Sequence, residues 1–254
     1  MSLTHEGGRA PLALPPLIGH RGAAASAPEN TLAGFRQAAA EGVTWVEFDV
    51  KLSAEGAPVL MHDDRVDRTT NGKGKVAETP LARLQALDAG AWFGPAFRGE
   101  AVPTLAEALA VLAELKMGFN AEIKPCPGRE AETAVAACRT IREGWRADLP
   151  TPVLTSFKVE ATAAAAQAAP ELPRGLLAGK LPEDWLDQAA ALGAQTIHLG
   201  ERDLTPAVVT AVREAGYPLV VWTVNDPARA RHWRALGVPC LITDAPGVLA
   251  RALG

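Results

Sequence analysis

The chain has 254 residues, 48% of them hydrophobic and 21% charged, with 25 Lys and Arg against 29 Asp and Glu for a formal net charge of −4. This excludes a largely disordered chain and any overall attraction for nucleic acid or an anionic membrane surface, while a local basic site for one phosphate stays open. Apolar runs fall short of the ~18 residues of a membrane span, and the length suffices to bury a core without disulfides.

The N-terminus lacks a basic start and a sustained apolar stretch, so it does not read as a signal peptide. Pro11, Pro15 and Pro16 resist helix formation, and residues 1–16 are expected to form a loose arm. Beyond it, β-type runs alternate with Ala-rich helical stretches. Strand Leu17–His20 precedes helix 30–41, Thr44–Val50 follows, and Gly118–Lys124 comes between helices 104–115 and 129–144. Pro152–Thr155, Arg174–Ala178, Gln195–Leu199, Pro218–Thr223 and Val238–Thr243 then alternate with helices 158–168, 183–192, 205–215, 226–235 and 246–252. Several of these helices open on a capping residue or carry Pro206 or Pro227 in the first turn, and Gly42, Gly193, Gly216 and Gly237 suit left-handed helix ends.

Eight βα units in about 250 residues predict a (β/α)8 TIM barrel. The doubly wound open sheet loses ground because no Gly-x-Gly-x-x-Gly or P-loop follows a strand. Residues 51–62 read as a hairpin turning at Ser53-Ala54-Glu55-Gly56. The following stretch, 63–101, is too long for a bare loop, and Leu81, Leu84, Leu87, Trp92, Phe93 and Phe97 predict a small inserted lobe on the barrel mouth. One domain, 1–254, is expected. Cys126, Cys138 and Cys240 form no C-x-x-C pair and suit reduced thiols in a cytoplasm.

Charge falls where burial is expected. Glu47 and Asp49 are two apart on one strand and so share a face, as do Glu122 and Lys124 on the next barrel strand. Unpaired buried ions cost several kcal/mol each, about enough to demand partners. A divalent cation between the carboxylates is one answer, and an all-oxygen set favours Mg²⁺ or Ca²⁺ over Zn²⁺. A structural ion-pair network joining Lys124 to Glu122 and Glu47 is the other. His20 ends the first strand and His62 returns over the same mouth, placed to share proton transfers at a phosphodiester, with Arg21 and Lys124 beside the phosphoryl oxygens.

Gly19-His20-Arg21-Gly22, Pro28-Glu29-Asn30-Thr31, Glu47-x-Asp49, His62-Asp63 with Arg68-Thr69-Thr70, and Glu122-x-Lys124, in that order, resemble the glycerophosphodiester phosphodiesterase family. Thr155-Ser156-Phe157, Trp222-Thr223-Val224-Asn225 and Thr243-Asp244-x-Pro246-Gly247 resemble its later strand ends, so the likeness runs from about residue 17 to the C-terminus. The resemblance implies a TIM barrel with a helical insertion after the second strand. It implies one divalent cation held by Glu47, Asp49 and Glu122, an acid–base pair in His20 and His62, and Arg21 and Lys124 as phosphate ligands. The implied reaction is hydrolysis of glycerophosphocholine, glycerophosphoethanolamine and similar diesters to glycerol 3-phosphate and an alcohol.

Glu29 suits a substrate contact or a helix start, and Asn30 suits the helix N-cap. Trp222 would pack against glycerol carbons or the barrel; Phe157 and His198 would face the pocket or serve structure. Three rivals remain: a lysophospholipase D, a cyclising lyase acting on lysolipids, and a non-catalytic barrel that binds glycerophosphodiesters. The expected partner is a small diester, with neither nucleic acid nor stable membrane association.

Overall fold

The computed structural model describes residues 12–254. Eight parallel strands close into a barrel: β1 (Leu17–Gly19), β2 (Trp45–Leu52), β4 (Gly118–Ile123), β5 (Val153–Ser156), β6 (Arg174–Ala178), β7 (Thr196–Gly200), β8 (Leu219–Trp222) and β9 (Cys240–Thr243). β1 pairs with both β9 and β2, which completes the ring. The short β3 (Pro58–Leu60) runs antiparallel to the end of β2, as the hairpin reading required.

Helices α1 (Leu32–Ala40), α3 (Leu105–Glu114), α4 (Glu130–Gly144), α5 (Val159–Ala168), α6 (Trp185–Leu192), α7 (Pro206–Glu214), α8 (Pro227–Ala235) and α9 (Pro246–Leu253) pack outside the strands. Strand alternation explains how. In β2, Val46, Phe48 and Val50 face the helices, and Phe48 stacks with Phe35 and Phe119 at 5.7 and 5.3 Å between ring centroids. Trp45, Glu47, Asp49 and Lys51 therefore face the barrel interior. Capping follows local chemistry: the Thr104 hydroxyl accepts from the Glu107 backbone N–H while Glu107 accepts in return, and Asp226 caps α8.

The segment after β3 carries a 3₁₀ turn at Val76–Glu78, the short helix α2 (Leu81–Gln85) and a second 3₁₀ turn at Pro95–Phe97. Its core is Val66, Val76, Leu84 and Ala89, closed against Val59, Met61, Val102 and Cys126. Trp92, Phe93 and Phe97 stand outside that core as an edge-to-face stack, with Trp92 exposed.

Residues 1–11 of the expected loose arm lie outside the described residues. The remainder departs from that expectation, because Leu12 and Leu14 pack against the buried cluster that includes Ile18, Trp45 and Val220. All three cysteines are free and buried. Among the described residues no helix is long and apolar enough to cross a membrane.

Candidate active site

The register of β2 against β4 sets Asp49 beside Glu122 and Glu47 beside Asn120. One carboxylate oxygen from each of Glu47, Asp49 and Glu122 lies within 4.8 Å of the others, and all three residues are buried. Burial and the neighbouring Asp49 charge push the Glu47 carboxyl up to about 8 and that of Glu122 up to about 6. Asp49 moves the other way. Its burial is outweighed by Lys124, Arg21, His62 and the Asn30 amide, which hold it well below the usual carboxylate range.

Asn30 is not the cap of α1. Thr31 caps the helix, its hydroxyl accepting from the Gly34 N–H, while Asn30 adopts a positive φ of 56° and turns its amide onto Asp49. Asn30 Nδ2 donates to Asp49 Oδ2 at 2.8 Å, and its Oδ1 accepts the Asp49 backbone N–H at 3.1 Å. A residue that suited capping is thus spent on aiming a buried carboxylate.

Both predicted cations reach the cluster. Lys124 Nζ lies 2.8 Å from Glu122 and 3.3 Å from Asp49. The Arg21 backbone N–H donates to Glu47 at 3.1 Å, its guanidinium donates to Glu29 at 2.8 Å, and its Nε is 3.4 Å from Asp49. Arg21 has a φ of 50° and the following Gly22 a φ of 94°. A Cβ on Gly22 would stand 2.8 Å from the Gly34 carbonyl oxygen, so the loop can close over α1 only with glycine there. Lys51, next on the inward face of β2, is buried and donates to Asp64 at 2.7 Å and to the Lys124 carbonyl at 3.0 Å. The ion-pair alternative is therefore partly realised, with Asp49 rather than Glu47 as the second partner of Lys124.

Each histidine has a carboxylate behind it. The pairing of Gly19 with Thr243 brings His20 beside Asp244, and His20 Nδ1 sits 2.6 Å from Asp244 Oδ1. An ionised carboxylate only accepts, so Nδ1 carries a proton and Nε2 is left toward the cluster, 3.8 Å from Glu47. Asp244 is in turn held by Asn225, which donates to its Oδ2 at 2.6 Å and accepts its backbone N–H at 2.8 Å. His62 Nδ1 is 2.6 Å from Asp63 in the same way. Arg68 clamps Asp63 and also donates to Glu29 at 2.7 and 2.8 Å, so Glu29 bridges Arg21 and Arg68. Burial works against the charged form of both rings. At His20 the Asp244 bond and the Glu47 charge outweigh it and raise the pKa; at His62 burial prevails and the pKa is lowered.

A cavity of about 320 Å³ opens between these groups and the far wall, where Leu177, His198, Trp222 and Ile242 line it. Phe157, exposed, meets Trp222 edge-on at 5.5 Å and lies 5.6 Å from Lys124 Nζ. A second, more open groove of about 470 Å³ shares His62, Glu122, Lys124 and Phe157 with the cavity and continues past Asp63, Asp64 and Lys158. Of the predicted catalytic, metal and substrate residues, all line this mouth except Asp49 and Glu29, which pair with Arg21 just behind it, whereas Trp92, Phe93 and Phe97 of the insertion line neither hollow. Asp244, Asp63, Arg68 and Asn30 stand in the motifs read from the sequence but take supporting roles that the sequence did not assign, and Lys51 is an addition to them. The adjacency of each acid to a strand end or to a histidine was the available signal.

Residues 20–248 match the family model described as the glycerophosphoryl diester phosphodiesterase family. A glycerophosphodiester phosphodiesterase of Caldanaerobacter subterraneus is 34% identical over 238 residues, covering 92% of this chain and 95% of its own. An Oleispira antarctica phosphodiesterase solved with the product sn-glycerol-3-phosphate superposes with a TM-score of 0.92 at 38% identity, over 94% of this chain and 97% of that one. A glycerophosphodiester phosphodiesterase structure from Agrobacterium tumefaciens gives 0.78 at 29% identity, covering 94% of this chain and all (100%) of that one.

Proposed function

Because this chain belongs to the glycerophosphodiester phosphodiesterase family and is an enzyme of that class, we propose that it hydrolyses glycerophosphodiesters to glycerol 3-phosphate and an alcohol by His20–His62 proton transfer beside a divalent cation. The observation that carries this reading is the pairing of two carboxylate-backed imidazoles with one buried three-carboxylate cluster.

The donor set fits the cation. Three buried carboxylate oxygens, with neither sulfur nor imidazole among them, suit a hard ion such as Mg²⁺ or Ca²⁺, and two of the three carboxyls resist ionising together without added positive charge. Glu47, Asp49 and Glu122 would hold it, and it would supply charge to the phosphoryl oxygens and acidity to a bound hydroxyl. Arg21 and Lys124 complete the positive surface around the phosphate. Asp244 and Asp63 keep the proton on each Nδ1, leaving the two Nε2 atoms to take a proton from the nucleophile and give one to the departing oxygen.

The two adjoining hollows suit the two halves of the substrate. The glyceryl arm, common to all these diesters, belongs in the enclosed cavity, and the variable alcohol belongs in the open groove beyond Lys124. Trp92, Phe93 and Phe97 line neither, so they do not supply the apolar rim that a lysolipid chain would need.

The test is a glycerophosphocholine assay after EDTA treatment, with Mg²⁺, Ca²⁺ or Mn²⁺ restored and ³¹P NMR following products. Cation-restored release of glycerol 3-phosphate is expected. A persistent cyclic phosphate would replace hydrolysis with the lyase reading, and no turnover with any ion would move the assay to lysolipids and other diesters. Glu47→Gln should raise the ion concentration needed for half-maximal rate.

A further inference from the structure

Glu29 lines neither hollow, and both of its carboxylate oxygens are taken by arginines. Oε1 accepts from Arg21 Nη1 and from Arg68 Nη2, each at 2.8 Å, and Oε2 accepts from Arg68 Nη1 at 2.7 Å. The other edge of the Arg68 guanidinium goes to Asp63, from Nε at 2.7 Å and from Nη2 at 3.1 Å. Asp63 Oδ1 in turn meets His62 Nδ1. Arg21, Glu29, Arg68 and Asp63 thus alternate in charge from the edge of the carboxylate cluster to the His62 ring.

The middle of this chain comes from the inserted segment, whose backbone is held firmly where Arg68 leaves it. Thr69 and Thr70 are buried, and the Thr70 hydroxyl donates to the Val66 carbonyl at 2.7 Å and accepts the Gly72 N–H at 3.0 Å. A single exposed ion pair contributes little. Arg68 differs, although its side chain is 45% exposed, because it is forked onto two carboxylates at once and one of them, Glu29, is only 11% exposed. The Arg68 bonds outweigh burial and hold the Asp63 carboxyl well below the usual carboxylate range, so Asp63 stays an acceptor for Nδ1–H.

We propose that Arg68 is a positioning residue for the reaction: without lining either hollow, it locks the Asp63–His62 pair at a set distance from the Arg21 guanidinium. The inference rests on the diesterase reading above. Proton transfer needs Nε2 within hydrogen-bond reach of the reacting oxygen, and on that reading Arg21 holds the phosphoryl group carrying it. His62 and Asp63 follow β3, whereas Arg21 and Glu29 lie between β1 and α1, and Arg68 ties these two stretches together. A misplacement of about 1 Å at such a site can cost about 100-fold in rate. Lysine would supply the charge, but one ammonium cannot present two planar forks, so the role belongs to the shape of the guanidinium.

The test measures kcat and KM for glycerophosphocholine, with the cation restored, in the wild type, Arg68→Gln, Arg68→Lys, His62→Ala, and Arg68→Gln combined with His62→Ala. Arg68→Gln and Arg68→Lys should each lower kcat by about tenfold or more and leave KM within about twofold, since ground-state binding is untouched. Once His62 is alanine, Arg68→Gln should cost less than about twofold further, because the ring it positions is gone. An equal loss in both backgrounds would overturn the proposal, whether it came from misfolding or from a direct role of Arg68. So would full rate in Arg68→Lys, which reduces the role to charge, or a loss confined to KM. A wild type that turns over no such diester, or a His62→Ala protein as fast as the wild type, would overturn the underlying reading, and this inference with it.

Discussion

The buried imidazole of His198 should make the protein acid-labile by a calculable amount. Burial alone depresses its pKa from 6.5 to about 3 in the folded chain, whereas in the unfolded chain the ring titrates normally. Below pH 6.5 the unfolded state therefore binds a proton that the folded state refuses, so stability falls as pH falls and is fully present above that value. Integrated over the window, this one group removes about 2 kcal/mol between pH 7 and pH 5, and about 3 kcal/mol by pH 4. His198→Gln is the comparison, because a glutamine amide can reach the Thr196 hydroxyl where Nε2 does and carries no titrating group. Urea unfolding of both proteins at pH 7, 6 and 5, with chelator present, cancels every other ionisation in the difference. The wild type should lose about 2 kcal/mol more than the variant from pH 7 to pH 5. Unfolding free energies that run parallel across that range would show that the folded protein accepts the proton, and the argument from burial would fail.

The remaining predictions concern the site and its frame. His20→Ala and His62→Ala should each lower kcat by about 100-fold or more, the usual scale of general acid–base catalysis; near-normal turnover in both would end the proton-transfer assignment. Asp244→Asn removes the partner that raises the His20 pKa, so the limb of the pH–rate profile belonging to His20 should move to lower pH. An unmoved limb would detach Asp244 from the reaction. Gly22→Ala should cost about 1–3 kcal/mol, since a φ of 94° and the Gly34 carbonyl both oppose a Cβ, and thermal unfolding should show the midpoint fall. A midpoint equal to the wild type's would mean that the loop opens freely.

Much of this architecture is written in local patterns. Period-two alternation in β2 sorts Val46, Phe48 and Val50 to the helices and Glu47, Asp49 and Lys51 to the interior, because successive side chains on a strand must alternate. Capping threonines and prolines mark helix starts, and charge on a buried strand face can be read as a site wherever burying unpaired ions is too costly to be incidental. For these reasons the barrel, the hairpin and the Glu47, Asp49 and Glu122 grouping are legible one segment at a time.

Tertiary structure decided which groups stand behind those residues. Asp244 is 224 positions from His20, and only barrel closure between β1 and β9 brings it to the imidazole. Asn30 suits an N-cap by type, but the loop turns it to Asp49 and gives the cap to Thr31, a choice that depends on a carboxylate from another strand. Glu29 likewise gains a second partner, besides Arg21, from the inserted segment through Arg68. His198 shows the same division most sharply. Its inward position follows from strand alternation, whereas its seat against Gly175 depends on how two neighbouring strands register. Local patterns depend on interactions between residues close in sequence, and a side chain's partners depend on distances that exist only once the ring has closed.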